Sequence, residues 1–238
     1  MKTPKLISIA ICLLTCVGCQ HNMVELETDL PPAKLDRTQK PRRKQGEPFL
    51  VPQGTKLLSR GVEVTSSDGN VPLIGELDMI TDGNEEAPHG LYFVELAGLG
   101  LQWVQLDLGK PHALHAILVW HYYSPNPYDY AFGWEAADDL PRVYQDVVVQ
   151  ISNDPAFKKD VKTVFNNDHD NSSGLGKGKD DTYVETSEGR WIDPKGAEGR
   201  YVRFYSRGHK RQWRGGGVRH FDSYNECNHY IEVEVYGT

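Results

Sequence analysis

Cysteine is scarce where it would matter. The 238-residue chain has four, and Cys12, Cys16 and Cys19 all fall within its first nineteen residues. Cys227 is left without a partner, so no disulfide framework is available and stability must come from an ordinary core. Long apolar runs are missing too: LISIAICLL, near the N-terminus, is too short to span a bilayer. Helical periodicity is hard to find after it. Basic charge is not in excess, and a net charge of -7 argues against a nucleic-acid binder. There is no Gly-x-Ser-x-Gly elbow, no His-Glu-x-x-His and no pair of carboxylates in a recognisable glycosidase context, which leaves hydrolase the weakest class of function. The run Gly174-Leu175-Gly176-Lys177-Gly178 lacks the spacing and the strand-to-helix context of a phosphate loop.

What is present begins with an address. Lys2 and Lys5, then an apolar core, then small residues read as a secretory signal over residues 1–19. Cys16-Val17-Gly18-Cys19 resembles a bacterial lipoprotein box, which implies an acylated Cys19 as first residue of the mature protein, with Cys16 the second choice. Gln20 rather than Asp follows, implying the outer membrane of a Gram-negative cell. Residues 20–54 turn to Pro, Lys, Arg and Gln with no apolar period, the composition of a disordered tether. The cluster Lys40, Arg42, Arg43 and Lys44 reads as a solvated spacer, with contact to anionic lipid or polymer the other use.

Residues 55–238 have the length of one domain. The stretch Leu101 to Tyr123 organises it: Val104, Leu106 and Leu108 alternate with Gln105 and Asp107, and after a Gly-Lys-Pro turn the run from Ala113 to Trp120 is apolar on both faces. Short alternating segments recur at Gly61–Thr65, Trp103–Leu108, Ala116–Tyr122, Asp146–Ile151, Tyr183–Thr186, Tyr201–Ser206 and Tyr230–Tyr236, separated by Gly, Asn, Asp and Pro. They predict an all-β sandwich. In the last, Ile231, Val233 and Val235 are predicted inward and Glu232, Glu234 and Tyr236 outward.

LLSRGVEVTSS, ITDGN from Ile80, WVQLDLGK from Trp103, HAILVW, VVVQISNDPAF, GRYVRFYS and the closing YIEVEVYG occur in this order. Together they resemble the discoidin, or coagulation-factor type C, domain of the galactose-binding-like jelly rolls, a group that includes the family 32 carbohydrate-binding modules. The resemblance implies a jelly-roll β-sandwich of two antiparallel sheets with its termini close together and ligands held by loops at one end. Two long insertions depart from the pattern, between Tyr122 and Arg142 and between Ser206 and Asn228.

Four sets of residues carry chemistry. The resemblance implies a structural calcium ion stapling the Asp-Gly loop to the last strand, with Asp82, Asn84 and Glu232 at the matching positions; without it, Asp82-Gly83 is a turn and Glu232 a strand carboxylate. In the first insertion, aromatic rings suited to stacking on sugars crowd together, with Tyr122, Tyr123, Tyr128 and Trp134 as ligand candidates, Arg142 as a hydrogen-bond donor, and Trp120 and Phe132 as internal packing. The second insertion is basic, and Arg211 and Trp213 are its candidates for an acidic polymer. Asp168, His169 and Asp170 are metal-ligand types, but neighbours in an extended segment point in opposite directions, so the loop reads as turn-rich and polar. The expectation is a non-catalytic, lipid-anchored carbohydrate-binding module with no nucleic-acid partner. The alternative is a scaffold subunit that holds a protein partner through the same loops.

Overall fold

The structure is a computed structural model that describes residues 22–26, 49–85, 92–123, 142–186, 188–215, 218–221 and 225–238, with the backbone alone between 211 and 224. Along the chain these residues form β1 (Met23–Glu25), β2 (Leu50–Pro52), β3 (Lys56–Leu57), β4 (Val64–Ser66), a 3-10 turn (Leu77–Thr81), β5 (Val94–Glu95), β6 (Leu101–His121), β7 (Arg142–Tyr144), β8 (Val148–Ser152), β9 (Lys162–Asn166), β10 (Arg190–Ile192), β11 (Glu198–Arg207), β12 (His209–Gly215), β13 (Val218–Phe221) and β14 (His229–Gly237). All pairings are antiparallel among the described residues, so the predicted all-β class and its antiparallel layers are what the chain adopts.

The central stretch is one continuous element rather than two strands. The first half of β6 pairs with β11 and β4, and its second half with β14 and β10, so a single strand belongs to both layers. The bend between the halves lies at Gly109, whose φ of 80° suits a residue without Cβ and whose N–H donates to Asp107 Oδ1 at 2.8 Å. Between the layers, Val104 and Leu106 from one half meet Ile117 and Val119 from the other, with Val149, Val202, Phe204 and Val233 around them. Each such side chain contributes about 1.5–3 kcal/mol by leaving water.

A second apolar cluster covers the outer face of the β6–β14 layer, where Ala116, Leu118 and Trp120 pack with Val51, Phe93, Ile231 and Tyr236. This corrects the tether at its C-terminal end. Val51 in β2 is buried, Phe49 and Trp191 have ring centroids 5.0 Å apart, and β1 pairs with β2. Residues 49–54 therefore belong to the folded domain, because the fully buried Trp120 indole needs a lid.

Two further expectations are corrected. Tyr183–Thr186 forms no strand, and the neighbour of β6 is β10, seven residues on. In β14, Glu232, Glu234 and Tyr236 are buried along with Ile231, Val233 and Val235, and the extra residue at Ile231 makes a bulge between Tyr230 and Glu232. Both faces of this strand are covered, one by the inner core and the other by the second cluster and the Asp82 loop.

Strand register puts Leu101 opposite Arg207, His121 opposite Tyr230, and Val148 opposite both Tyr205 and Asn166. These residues share one end of the sandwich, and both insertions leave from it. Ala113 opposite Glu198 and Gly237 opposite Lys56 mark the other end, where the termini of the domain lie together, as the resemblance implies.

Candidate functional site

At the insertion end the sequence-predicted ligand residues fare unequally. Tyr122 and Tyr123 are each 6% exposed and join the second core. Tyr122 meets the Phe93 ring at 4.8 Å, and the Tyr123 hydroxyl donates to the Glu85 carbonyl at 3.0 Å. Arg142 is buried with its guanidinium 4.1 Å above the Tyr122 ring. These three are buried rather than presented to solvent: Tyr122 and Tyr123 directly follow β6, and Arg142 opens β7 on the far side of the first insertion. Tyr128, Trp134 and Phe132 lie outside the described residues, as does Cys19. Arg211 and Trp213 are not on a loop: β12 pairs with β13 as a hairpin, and Arg211 stands opposite Arg142 of β7. The second insertion is thereby paired with β7, the strand in which the chain resumes after the first insertion, in one three-stranded sheet, β13-β12-β7. The side chains of Arg211 and Trp213 lie outside the described part.

Beneath this sheet is a buried polar cluster that sequence reasoning missed. His121 Nδ1 and Glu185 Oε1 are 2.9 Å apart, and both side chains are fully buried. His121 Nε2 and Glu185 Oε2 have no hydrogen-bond partner among the described residues. The His121 ring stacks on Tyr144 at 4.4 Å. The Tyr144 hydroxyl donates to His229 Nδ1 at 2.9 Å, and His229 Nε2 donates to Glu95 Oε2 at 3.2 Å. Burial pushes the His229 imidazole below its ordinary value, while the bond from His229 holds the Glu95 carboxyl below its own. A neutral imidazole between a phenol and a carboxylate accounts for both. Cys227 nearby is a free, half-buried thiol whose pKa burial raises, so it is a poor nucleophile. Only tertiary pairing unites these groups, which come from five separate segments.

The loop from Asn167 to Thr182 borders a polar recess with Tyr144 and Asp146. Asp168 is buried and accepts from Ser172 N at 3.1 Å, from Ser173 N at 2.9 Å and from the Ser173 hydroxyl. His169 also lines the recess, and its Nε2 donates to the Asp180 carbonyl at 2.9 Å. Asp168 and Asp170, two residues apart, turn the same way, and Asp146 joins them from the β7–β8 connection; their carboxylate oxygens lie within 4.8 Å of one another. Burial raises the pKa of Asp146, as do the charges of Asp168 and Asp170, against the Ser172 hydroxyl that donates to it at 2.7 Å. Sequence reasoning set aside Asp168, His169 and Asp170 as a joint site and read a turn-rich polar loop; the structure groups two of them with Asp146 instead. The usable signal was the Asp-x-Asp-x-Ser spacing of residues 168, 170 and 172, which matches the alternation of ligands in calcium loops.

At the Asp82 loop the residues do not fit an ion as they stand. Asp82 spends its carboxylate on the Asn84 N–H at 2.9 Å and the Tyr92 hydroxyl. Glu232 Oε2 accepts from Gly83 N at 3.1 Å. Arg60 donates to the Asp82 carbonyl at 2.6 Å and reaches within 3.7 Å of Glu234, supplying positive charge where the ion would bring it. The loop is held to the last strand by these bonds.

No protein-family model matches the chain, and no curated protein sequence does so either. Solved structures with some likeness include the family 32 carbohydrate-binding module of AlyQ in complex with 4,5-unsaturated mannuronic acid, at 17% identity over 74% of this chain and 95% of that one, with a TM-score of 0.42. Another is the Streptococcus pneumoniae fucose binding module SpX-3, at 16% identity over 77% of this chain and 98% of that one, TM-score 0.44. A third is a family 89 glycoside hydrolase from Clostridium perfringens, at 15% identity and TM-score 0.47, where the match covers 76% of this chain and this chain spans only 14% of the enzyme. Likeness at this level transfers neither a family nor a ligand.

Proposed function

We propose that this is a non-catalytic carbohydrate-binding module of the discoidin kind, held to the cell envelope by lipid on Cys19 and binding glycan at the insertion end. One observation supports it above the others: Arg211 of the second insertion pairs with Arg142, the residue at which the chain resumes after the first insertion, so both insertions attach at one end of a packed sandwich. Aromatic Tyr128 and Trp134 in one, and basic Arg211 with aromatic Trp213 in the other, thus belong to segments that leave the same end. Rings that stack on the C–H face of a sugar and donors that pair with its oxygens are the two requirements of such a site.

The test is a glycan array probed with the full chain in detergent, with Trp134→Ala and Trp213→Ala beside it. Binding to a defined set of glycans is expected, with a loss of about thirtyfold or more in the variants, the scale of a hot-spot aromatic. In the same preparations wild type should enter the detergent phase and Cys19→Ala should not. An array without binding removes the glycan reading, and equal partitioning of the two chains removes the anchor.

A further inference from the structure

Asp146, Asp168 and Asp170 bring three carboxylates within 4.8 Å at the insertion end. Like charges this close oppose one another. The nearby Arg207 guanidinium is 3.9 Å from Asp146 and supplies one positive charge from a half-exposed side chain. A second observation points to an occupant of the same recess. Asn167 is 5% exposed and borders it. Its Oδ1 accepts from Val147 N at 2.7 Å, which settles the orientation of the amide, and its Nδ2 has no hydrogen-bond partner among the described residues. A buried donor left unpaired is costly, and an oxygen held in the recess would satisfy it.

We propose that these three aspartates form a binding site for a hard divalent cation, calcium foremost, distinct from the Asp82 loop and independent of the glycan reading. The donor set is all oxygen, since the adjacent His169 has Nε2 committed to the Asp180 carbonyl, and calcium takes such ligands in flexible numbers. Asp168 Oδ2 is filled by the Ser173 N–H and hydroxyl, whereas Asp168 Oδ1, Asp170 Oδ1 and Asp146 Oδ2 each accept one hydrogen bond and keep a lone pair. Water completes the shell and offers Asn167 Nδ2 its acceptor. The ion cross-links the Asp168 loop to the connection between β7 and β8, next to the strand that pairs with the second insertion.

The experiment uses the full chain in detergent, stripped with chelator and titrated calorimetrically with calcium chloride and separately with magnesium chloride, with melting followed in parallel. One calcium per chain is expected, with a melting temperature that rises as calcium is added. Asp170 is exposed, so Asp170→Asn should melt like wild type in chelator while calcium affinity falls at least about tenfold. Glu232→Gln should bind calcium as wild type does. Tighter magnesium binding with the same dependence on Asp170 upholds the site but not the preference for calcium. No heat and no melting shift with either ion up to millimolar concentration overturns the proposal. So does an Asp170→Asn chain that keeps its affinity, and loss in Glu232→Gln alone would put the ion at the Asp82 loop.

Discussion

Glu185→Ala is expected to lower the melting temperature by about 10 °C. The carboxylate is fully buried, its one recorded partner is His121 Nδ1 at 2.9 Å, and its second oxygen has none among the described residues. Removing one member of a buried pair leaves the other unsatisfied in the interior, which typically costs 3–5 kcal/mol. In a folded domain of this size each kcal/mol moves the midpoint by roughly 2–4 °C. The double replacement His121→Leu with Glu185→Leu behaves differently. It removes both polar groups and leaves apolar side chains against Tyr144 and Tyr230, whose rings already flank His121 at 4.4 and 4.8 Å. Such exchanges are often neutral or stabilising, so the double variant should recover most of the loss. A melting temperature for Glu185→Ala within about 2 °C of wild type would mean that the pair is solvated, contrary to its burial.

The second large effect concerns Glu232 and its response to pH. Burial pushes its carboxyl up to about 9 from the ordinary 4.5; the charges of Asp82 and Glu234 add to this, and the Gly83 N–H and Arg60 oppose it. In the folded chain Glu232 therefore carries a proton at neutral pH that the unfolded chain has released. Its contribution to stability is fully present below pH 4.5 and is lost as pH rises toward 9, by up to about 1.4 kcal/mol per pH unit. Glu232→Gln keeps the size and the hydrogen-bonding oxygen for Gly83 without the titration. The variant should match wild type near pH 5 and melt well above it at pH 8–9. If calcium occupied the Asp82 loop the order would reverse, because an ionised Glu232 would be a ligand and Gln a weaker one. Melting curves of both chains across pH 5–9, with and without chelator, decide between these outcomes.

Much of the sandwich was legible in particular residues. Val104, Leu106 and Leu108 alternate with polar neighbours because successive side chains on a strand point to opposite faces, and all three lie in the core. The apolar second half of β6 announced a strand covered on both sides, and it is. Of the aromatic cluster, Trp120 was read as internal packing and is fully buried, whereas Tyr122 was read as a ligand residue and is buried in the same cluster. Trp120 and Tyr122 differ in role from Tyr128 only if the point where the chain leaves the sheet is known, and that depends on what covers the outer face. The cover comes from Val51 and Phe49, in a segment whose composition reads as a tether. Glu232 and Glu234 look solvent-facing by alternation, yet the Asp82 loop, some 150 residues earlier, closes over them.

By itself the sequence determined most of the strands and the all-β class, since these follow from period-2 patterning and turn residues a few positions apart, while the antiparallel sandwich was what the family resemblance implied. Tertiary structure alone decided which polar groups meet: Asp146 with Asp168 and Asp170, His121 with Glu185, Arg60 with the Asp82 loop. Alternation records only which face of a strand a side chain takes. Which groups share that space depends on register and on how the layers close, and both are set by the packing of the whole core.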